Sequence, residues 1–248
     1  MNYKLKHTYG WQPDIPDSRD YLYAAIKPVV RVPVSVDLTS GCSAIEDQGS
    51  LGSCTAQSLA GNLEFLDRQI DSVYTDVSRL FIYYNERVLM DTADYDSGAS
   101  LRIGIKTLKN EGVCEETLWP YKIKKYDDKP PKECYIEAKE HAIKSYHRIK
   151  GLKEMLTCLS EGFPFVFGFT VYESFEDKKV AQTGVVHMPK KGESVIGGHA
   201  VMAVGFSRKT KRFLVRNSWG EKWGRKGYFT MPFKYLETLA ADFWTIRK

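Results

Sequence analysis

Residues 47–56 of the chain read DQGSLGSCTA. This stretch places Cys54 in a loop of small residues, after which apolar residues recur at the three-and-four spacing of an amphipathic helix. We therefore predict a helix that begins beside Cys54, with Ser53 as its N-cap. A helix N-terminus favours the thiolate form of a cysteine, although a free cysteine is more often a small buried apolar residue. The apolar positions of this helix are Ala56, Leu59, Ala60, Leu63, Leu66 and Ile70.

The two halves of the chain differ in their hydrophobic patterns. Helical patterns follow Ser78, with Phe81, Tyr84 and Val88 on one face, and cover 100–110, before Gly112, and 152–159, before Gly162. Strand patterns then occupy 165–172, 200–206, 212–216, 228–231 and 243–246. Helices first and strands second predict an α+β fold, in which a helical lobe faces an antiparallel β-sheet or barrel lobe across a ligand cleft.

Composition excludes several classes of function. Lys and Arg total 36 against 31 Asp and Glu, and the net charge of +5 is spread over solvated loops, so we expect no nucleic-acid partner. No run approaches the roughly 20 apolar residues of a membrane helix, and the first residues lack the apolar core of a signal peptide. We expect a cytoplasmic protein without a membrane partner, or a secreted one if a signal sequence was trimmed. Five cysteines without a C-x-x-C pair argue against a disulfide scaffold and against a zinc site.

A histidine and an asparagine stand in settings that suit proton transfer. In GGHAVMAVGF, residues 197–206, His199 begins an apolar strand directly after two glycines and can project into a cleft. In RNSWGEKWGRKGYF, residues 216–229, Asn217 follows another strand, and its amide can orient an imidazole. Trp219 is the candidate shield for that hydrogen bond. Taken alone, His199 is more simply interpreted as a core histidine, and the loop after Asn217 is more simply interpreted as a tight turn.

Gln48 lies six residues before Cys54 in the same loop. Its side-chain amide can pair with the backbone N–H of Cys54 to bind a developing oxyanion. A glutamine in a polar loop is ordinarily only solvated, and the spacing from Cys54 is what favours the functional interpretation.

Together, QGSLGSC, GGHAVMAVGF and NSWGEKWGRKGYF resemble the cysteine, histidine and asparagine motifs of papain-like cysteine peptidases. The resemblance extends from VPVSVDL, beginning at Val32, to DFWTI near the C-terminus. It implies a peptidase domain over 32–248, with a helical lobe at about 46–125 and a β lobe at about 136–248 plus 32–45. Residues 1–31 then form an N-terminal arm. The resemblance also implies Cys54 as nucleophile, His199 as general acid and base, Asn217 as its orienter and Gln48 as oxyanion donor.

The substrate-binding residues follow from the same resemblance. Gly98 and Ala99 match the backbone that pairs with the peptide, and Trp219 lies beside the catalytic histidine. Leu101, Gly197 and Ala241 match the walls of the pocket for the second residue before the scissile bond, which predicts an apolar preference. If the register is off by one, Asp242 replaces Ala241 and favours Arg or Lys instead.

The chain also departs from the family pattern. Leu51 stands where papain has a disulfide cysteine, Thr55 replaces the tryptophan that usually follows the nucleophile, and Gly198 replaces an aspartate commonly found before the histidine. The sparse disulfides fit a reducing compartment. The missing aspartate removes one carboxylate that could shape the pH profile.

The implied reaction is peptide hydrolysis, by an endopeptidase or an exopeptidase, through a Cys54 thioacyl-enzyme. It requires no metal or organic cofactor. A peptide ligase or amidase could use the same residues. A catalytically silent peptide-binding module and a redox sensor based on Cys54 are further alternatives. Peptides or proteins are the expected partners, and the sequence does not indicate an oligomeric state.

The arm is too short to resemble the long helical prodomain of many papain relatives. Its prolines and aromatic residues suit an extended segment that docks on a surface. Either it occupies the substrate cleft and restrains activity, or it packs on the back of the enzyme and stabilises it. We favour the first hypothesis. The residues concerned are Trp11, Pro13, Pro16, Tyr21 and Tyr23.

Overall fold

A computed structural model describes residues 7–23, 31–72 and 74–248. The remainder of the predicted arm, residues 1–6 and 24–30, lies outside the described residues. Across the described ranges the strands form one antiparallel sheet in the order β2-β7-β3-β4-β5-β6, and β1 pairs with β4. These strands do not close into a barrel. Their bounds are β1 Ser35–Asp37, β2 Ser145–Arg148, β3 Phe165–Tyr172, β4 Val195–Ser207, β5 Arg212–Arg216, β6 Tyr228–Pro232 and β7 Ala240–Arg247.

The helices, with a few short 3-10 turns, lie against this sheet. None of those in the described ranges is both long and apolar enough to span a bilayer. Their bounds are α1 Cys54–Asp71, α2 Arg79–Leu89, α3 Leu101–Asn110, α4 Lys132–Glu137, α5 Gly151–Ser160, α6 Lys178–Thr183 and α7 Phe233–Leu239. The architecture is the predicted α+β fold, with α1, α2 and α3 gathered in the first half of the chain.

Helix α1 is buried on all sides from Cys54 to Asp67, so the prediction of a single buried face was incomplete. Ile70, expected on that face, is 61% exposed because it lies in the last turn, beyond the packed part of the helix. Val88, expected in the apolar face of α2, is likewise 47% exposed near the end of that helix. A regular apolar spacing identifies a helix, but it does not show how far along the helix other elements pack against it.

The two faces of the sheet belong to different hydrophobic cores. Ala200, Met202 and Val204 of β4 join the core around α1, α2 and α3, whereas Val201 and Ala203 join the core that includes residues of α5 and α7. This alternation is the period of two expected for a strand buried on both faces. The large central sheet therefore gives His199 of β4 a rigid support.

Strand β4 begins at Val195, five residues earlier than predicted. His199 therefore lies within the strand, opposite Phe169 of β3, and not at its first position. The two preceding glycines pair with Val171 and Thr170 and do not end the strand. The sequence pattern missed this because glycine is uncommon in strands unless another backbone or ligand approaches closely.

Candidate active site

Cys54 is the first residue of α1 and is completely buried. Ser53 occupies the N-cap position, but its hydroxyl hydrogen bonds Tyr121 at 2.6 Å and makes no capping bond, which corrects the predicted role. The first turn of α1 thus keeps backbone N–H groups that can stabilise negative charge. The N–H groups of Thr55, Ala200 and Gly10 all favour the thiolate of Cys54 by hydrogen bonding.

The imidazole of His199 and the amide of Asn217 form a buried pair. Nε2 of His199 lies 2.8 Å from Oδ1 of Asn217. Because an amide oxygen only accepts hydrogen bonds, Nε2 carries the proton and Nδ1 is left as the ring nitrogen that can accept one. The indole of Trp219 stacks on the imidazole, with ring centroids 4.9 Å apart, and shields the pair from water.

Gln48 is held in place from two sides. Its Oε1 accepts a hydrogen bond from Ser218 Oγ at 2.7 Å, and its backbone N–H donates to Ser218 O at 2.9 Å. These contacts leave the Nε2 group as donor. One Nε2 bond goes to Leu51 O at 3.0 Å, and another goes to the carbonyl oxygen of Thr8 in the arm at 3.2 Å.

The arm lies across the cleft and pairs with both of its walls. Trp11 N–H donates to Gly198 O at 3.0 Å. On the opposite wall, Ala99 N–H donates to Gly10 O at 2.8 Å, and Gln12 N–H donates to Ala99 O at 2.9 Å. Trp11 and Ala99 form a parallel bridge. The arm thus occupies the backbone groups that the family resemblance assigns to a peptide substrate.

The amino-terminal end of the described arm lies beside the pair of His199 and Asn217. His7 stacks on Trp219 with ring centroids 3.7 Å apart and an interplanar angle of 3°. Its Nδ1 is 3.2 Å from Oε1 of Glu176, which also accepts a hydrogen bond from the hydroxyl of Tyr9. The ring of His7 therefore lies against the indole that also stacks on His199.

Glycines make room for the arm at the points of closest approach. A Cβ on Gly10 would lie 1.8 Å from Gly52 O, and one on Gly98, whose φ is +71°, would lie 2.0 Å from Gly10 O. On the sheet, a Cβ on Gly168 would lie 1.8 Å from Trp11 Cε2, and one on Gly198 would lie 2.7 Å from Trp11 Cε3. The glycine at 198, where the family often has aspartate, therefore fits the tryptophan of the arm.

Burial keeps the side chains of Cys54 and His199 neutral in the structure with the arm docked. Burial raises the pKa of the Cys54 thiol to about 11, although the three backbone N–H groups act in the opposite direction. Burial also lowers the pKa of His199 to about 4, while the hydrogen bond to Asn217 acts to raise it. The expected preference of the helix N-terminus for a thiolate is outweighed by desolvation.

A hydrogen-bonded clamp joins the Cys54 loop to the Gly98 loop. Both carboxylate oxygens of Asp96 accept from Gly52 N–H, at 3.1 and 3.0 Å. The Tyr83 hydroxyl donates to Asp96 and accepts from Gly98 N–H at 3.0 Å. The loop that contains Leu51, in the position of a disulfide cysteine of papain, is thus tied to the opposite wall by hydrogen bonds.

The structure brings the expected substrate-binding residues close to the arm. Gly98 and Ala99 meet its backbone, and Trp219 meets His7. A Cβ on Gly197 would lie 2.7 Å from Tyr9 Cβ. Leu101 is fully buried in the core against which Trp11 packs, and Ala241 pairs with Gly168 beneath the Trp11 ring.

Asp242 does not stand free at the base of a pocket. Its backbone has a φ of +56°, its Oδ1 accepts from Arg148 Nη2 at 2.8 Å, and its Oδ2 accepts from Asp14 N–H at 2.7 Å. The carboxylate is therefore already engaged by an arginine and by the arm. This pairing weakens the alternative expectation of a preference for basic side chains.

Several site residues had no local signal in the sequence. Thr8, Gly10 and Trp11 reach the cleft only through tertiary docking, and Asp96 joins Gly52 across 44 positions of the chain. Glu176 reaches His7 across 169 positions. The one available signal was the concentration of aromatic residues in the arm, which indicated docking but not its location.

A separate carboxylate and imidazole cluster carries no catalytic assignment. Glu115, Glu137 and His141 bring ligand-type atoms within 4.8 Å of one another. Glu137, however, already accepts from Glu115 N–H at 3.0 Å and pairs with His141 at 3.2 Å. These contacts explain the cluster as local structure.

Comparison with known proteins assigns the chain and its fold to one family. The model of the papain family cysteine proteases matches residues 32–236. An uncharacterized peptidase C1-like protein of Acanthamoeba polyphaga mimivirus is 43% identical, over 98% of this chain and 88% of that protein. The crystal structure of xylellain, a cysteine protease from Xylella fastidiosa, has a TM-score of 0.89 and 39% identity, covering 97% of this chain and 96% of that chain. Digestive procathepsin L 3 of Tenebrio molitor shares the fold at a TM-score of 0.70 and 17% identity, over 93% of this chain and 76% of that chain.

The protein is a cysteine peptidase, and the chain belongs to the papain family. Its substrates are peptides or proteins.

Proposed function

We propose that this chain is a latent peptidase, in which Cys54 attacks the peptide bond and the arm blocks that reaction until it is displaced. The observation that carries the proposal is that the arm contacts two catalytic groups at once. Thr8 O occupies the Gln48 donor, and Gly10 N–H faces the Cys54 sulfur. A substrate needs both groups, so it cannot be processed while the arm is docked.

In the displaced enzyme, the Cys54 proton passes to Nδ1 of His199, and the sulfur attacks the carbonyl carbon of the scissile bond. The oxyanion accepts hydrogen bonds from Gln48 Nε2 and from the backbone N–H of Cys54. His199 then protonates the leaving amine, and the C–N bond breaks to give a thioester. Water, deprotonated by His199, attacks the thioester and releases the acid and the thiol.

The direction of the arm explains why it is not itself a substrate. A leaving amine must lie beside His199, so the carboxyl-terminal half of a substrate extends towards Trp219 and its amino-terminal half towards Ala99. The arm runs the other way, with His7 on Trp219 and Gln12 on Ala99. The sulfur consequently faces an N–H group, not a carbonyl carbon.

Covalent tethering makes this inhibition effective without a tight interface. An attached segment competes with substrate at an effective concentration of roughly millimolar for a short flexible connection. Activation is then a shift of population from docked to displaced arm. Gly10→Ala is the variant that should favour displacement, because its new Cβ would lie 1.8 Å from Gly52 O.

The chemistry is tested by three variants made in the Gly10→Ala background. Cys54→Ala and His199→Ala should each abolish hydrolysis of a fluorogenic peptide, while Asn217→Ala should reduce it less. Labelling by a peptidyl epoxide should modify Cys54 and no other cysteine. Hydrolysis that persists in the Cys54→Ala variant contradicts the assignment of the nucleophile.

A further inference from the structure

Beyond Trp11, the arm places acidic side chains in a site built by the peptidase domain. Asp14 Oδ1 accepts from the backbone N–H of Arg102 at 3.0 Å, and its Oδ2 accepts from Trp244 Nε1 at 2.8 Å. Asp20 receives two bonds from Arg102, at 3.0 and 2.6 Å, and one from Arg148 at 3.0 Å. The site therefore combines an indole donor, a backbone donor and two guanidinium groups.

Residues of the domain hold these donors in place without help from the arm. Trp244 is fully buried in β7, and Arg148 of β2 lies opposite it in the strand register. The guanidinium carbons of Arg102 and Arg148 lie 5.6 and 5.1 Å from the centre of the Trp244 ring. Cation–π contacts with a rigid indole keep both cations near the site when the arm departs.

The charge of the site changes sign when the arm departs. With the arm docked, the cations Arg102 and Arg148 face three carboxylates, those of Asp14, Asp20 and Asp242. Without the arm, only the carboxylate of Asp242 remains, and Arg148 already pairs with it at 2.8 Å. One guanidinium group, the Trp244 indole N–H and the Arg102 backbone N–H then lack their acceptors.

We propose that the displaced enzyme uses this site to bind an acidic side chain of its peptide substrate. The proposal rests on the proposed function, since the site opens only when the arm leaves the cleft. Trp11 pairs with Ala99, and Asp14 follows three residues later, on the side opposite Trp219. A substrate runs in the reverse direction, so its acidic residue lies on the amino side of the scissile bond.

The test compares matched peptides as substrates of a variant of the whole chain. In this variant the arm no longer offers carboxylates that compete with the substrate for the site. This protein carries Gly10→Ala, Asp14→Asn and Asp20→Asn. Fluorogenic peptides differ only by Glu or Gln at each successive position before the scissile bond, and the readout is the ratio of their kcat/KM values. Because both peptides are measured on one enzyme sample, partial misfolding of a variant cancels from the ratio.

We expect Glu to exceed Gln by about tenfold at one position, the scale of one hydrogen bond between charged groups. The ratio should fall towards one in Arg102→Gln and Arg148→Gln and at high salt. The control is Arg208→Gln, which removes a cation just beyond the end of β4 and should leave the ratio unchanged.

The outcomes separate this proposal from the proposed function. Hydrolysis with a ratio near one at every position overturns the acidic site and leaves the peptidase mechanism standing. A Glu-to-Gln ratio below one at these positions also overturns it, since the carboxylate of Asp242 then dominates the site. If the displaced enzyme hydrolyses none of the peptides, the proposed function fails and the acidic site fails with it.

Discussion

The side-chain amide of Gln48 donates a hydrogen bond to the backbone carbonyl of Thr8 at 3.2 Å. A carbonyl oxygen of the arm thus lies where Gln48 is proposed to bind the oxyanion of a substrate. The donor is oriented by Ser218 and not by the arm, so it remains in position when the arm departs. The relation implies that inhibition and catalysis depend on the same amide group.

Replacing Gln48 should therefore affect both states of the enzyme. In the Gly10→Ala background, we expect Gln48→Ala to lower kcat by about 100-fold or more, the usual loss for one oxyanion donor. Gln69→Ala, at an exposed glutamine of α1, is the matched control. Steady-state kinetics on a small peptide provides the measurement, and an unchanged kcat in the Gln48 variant removes this residue from the mechanism.

The ionisation of Cys54 should report the position of the arm. Burial raises the pKa of this thiol to about 11 when the arm is docked. Displacement by Gly10→Ala readmits water, so the midpoint of the pH dependence of iodoacetamide alkylation should move to lower pH. The midpoint of this pH dependence reports the ionisation of the thiol, whereas the alkylation rate also depends on how easily the reagent reaches it. Identical midpoints in the two proteins contradict the assigned effect of the arm.

The clamp formed by Asp96 should position the Cys54 loop for catalysis. Asp96→Ala removes the acceptor of Gly52 N–H, and we expect kcat/KM in the displaced enzyme to fall roughly tenfold. Asp96→Asn, which keeps one acceptor oxygen, should restore part of the loss. Asp94→Ala, at an exposed aspartate nearby, is the control. If Asp96→Ala lowers only the melting temperature and leaves kcat/KM unchanged, the clamp contributes stability alone.

The Asp242 carboxylate should make arm docking sensitive to pH. Burial and the charge of Asp14 raise the pKa of Asp242 to about 6, from 3.8. A raised pKa means that the docked state binds the proton more tightly, so this contribution to docking is complete below the ordinary pKa and is lost as the pH rises through about 6.

The kcat/KM of the unmodified chain, divided by that of Gly10→Ala, should accordingly increase between about pH 4.5 and pH 6.5. Dividing by the displaced enzyme removes the pH dependence of the chemistry itself. The Asp242→Asn variant removes this carboxylate alone. It keeps the ion pairs of the arm, in which Asp14 and Asp20 face Arg102 and Arg148. A ratio that has the same pH dependence in Asp242→Asn rules out Asp242 as its source.

The sequence predicted the α+β fold because apolar spacing and strand composition are local properties. It also placed Cys54, His199 and Asn217 in recognisable surroundings, and the structure brings the last two within hydrogen-bond distance. The start of β4 was wrong because Gly197 and Gly198 pair within the strand, where their missing side chains admit the arm. Local patterns do not report such an approach by a distant segment.

The path of the arm could not be read from its composition. Pro13 and Trp11 predicted an extended docking segment, but the choice between cleft and back surface depends on Gly168 and Gly198, more than 150 positions away. The same holds for Asp14, whose partners Arg102 and Trp244 lie in α3 and β7. Contacts between residues so far apart in the chain leave no periodic pattern in the sequence from which they could be predicted.

Our proposal that the docked arm restrains Cys54 is tested by measuring kcat/KM on one small peptide. The measurement compares the unmodified chain, Gly10→Ala and the control Ile15→Ala, whose side chain is 82% exposed in the same arm. We predict that Gly10→Ala raises kcat/KM by at least about tenfold, because overpacking by one methyl group destabilises the docked arm, while Ile15→Ala leaves it unchanged. A folded Gly10→Ala protein whose kcat/KM equals or falls below that of the unmodified chain would contradict the claim.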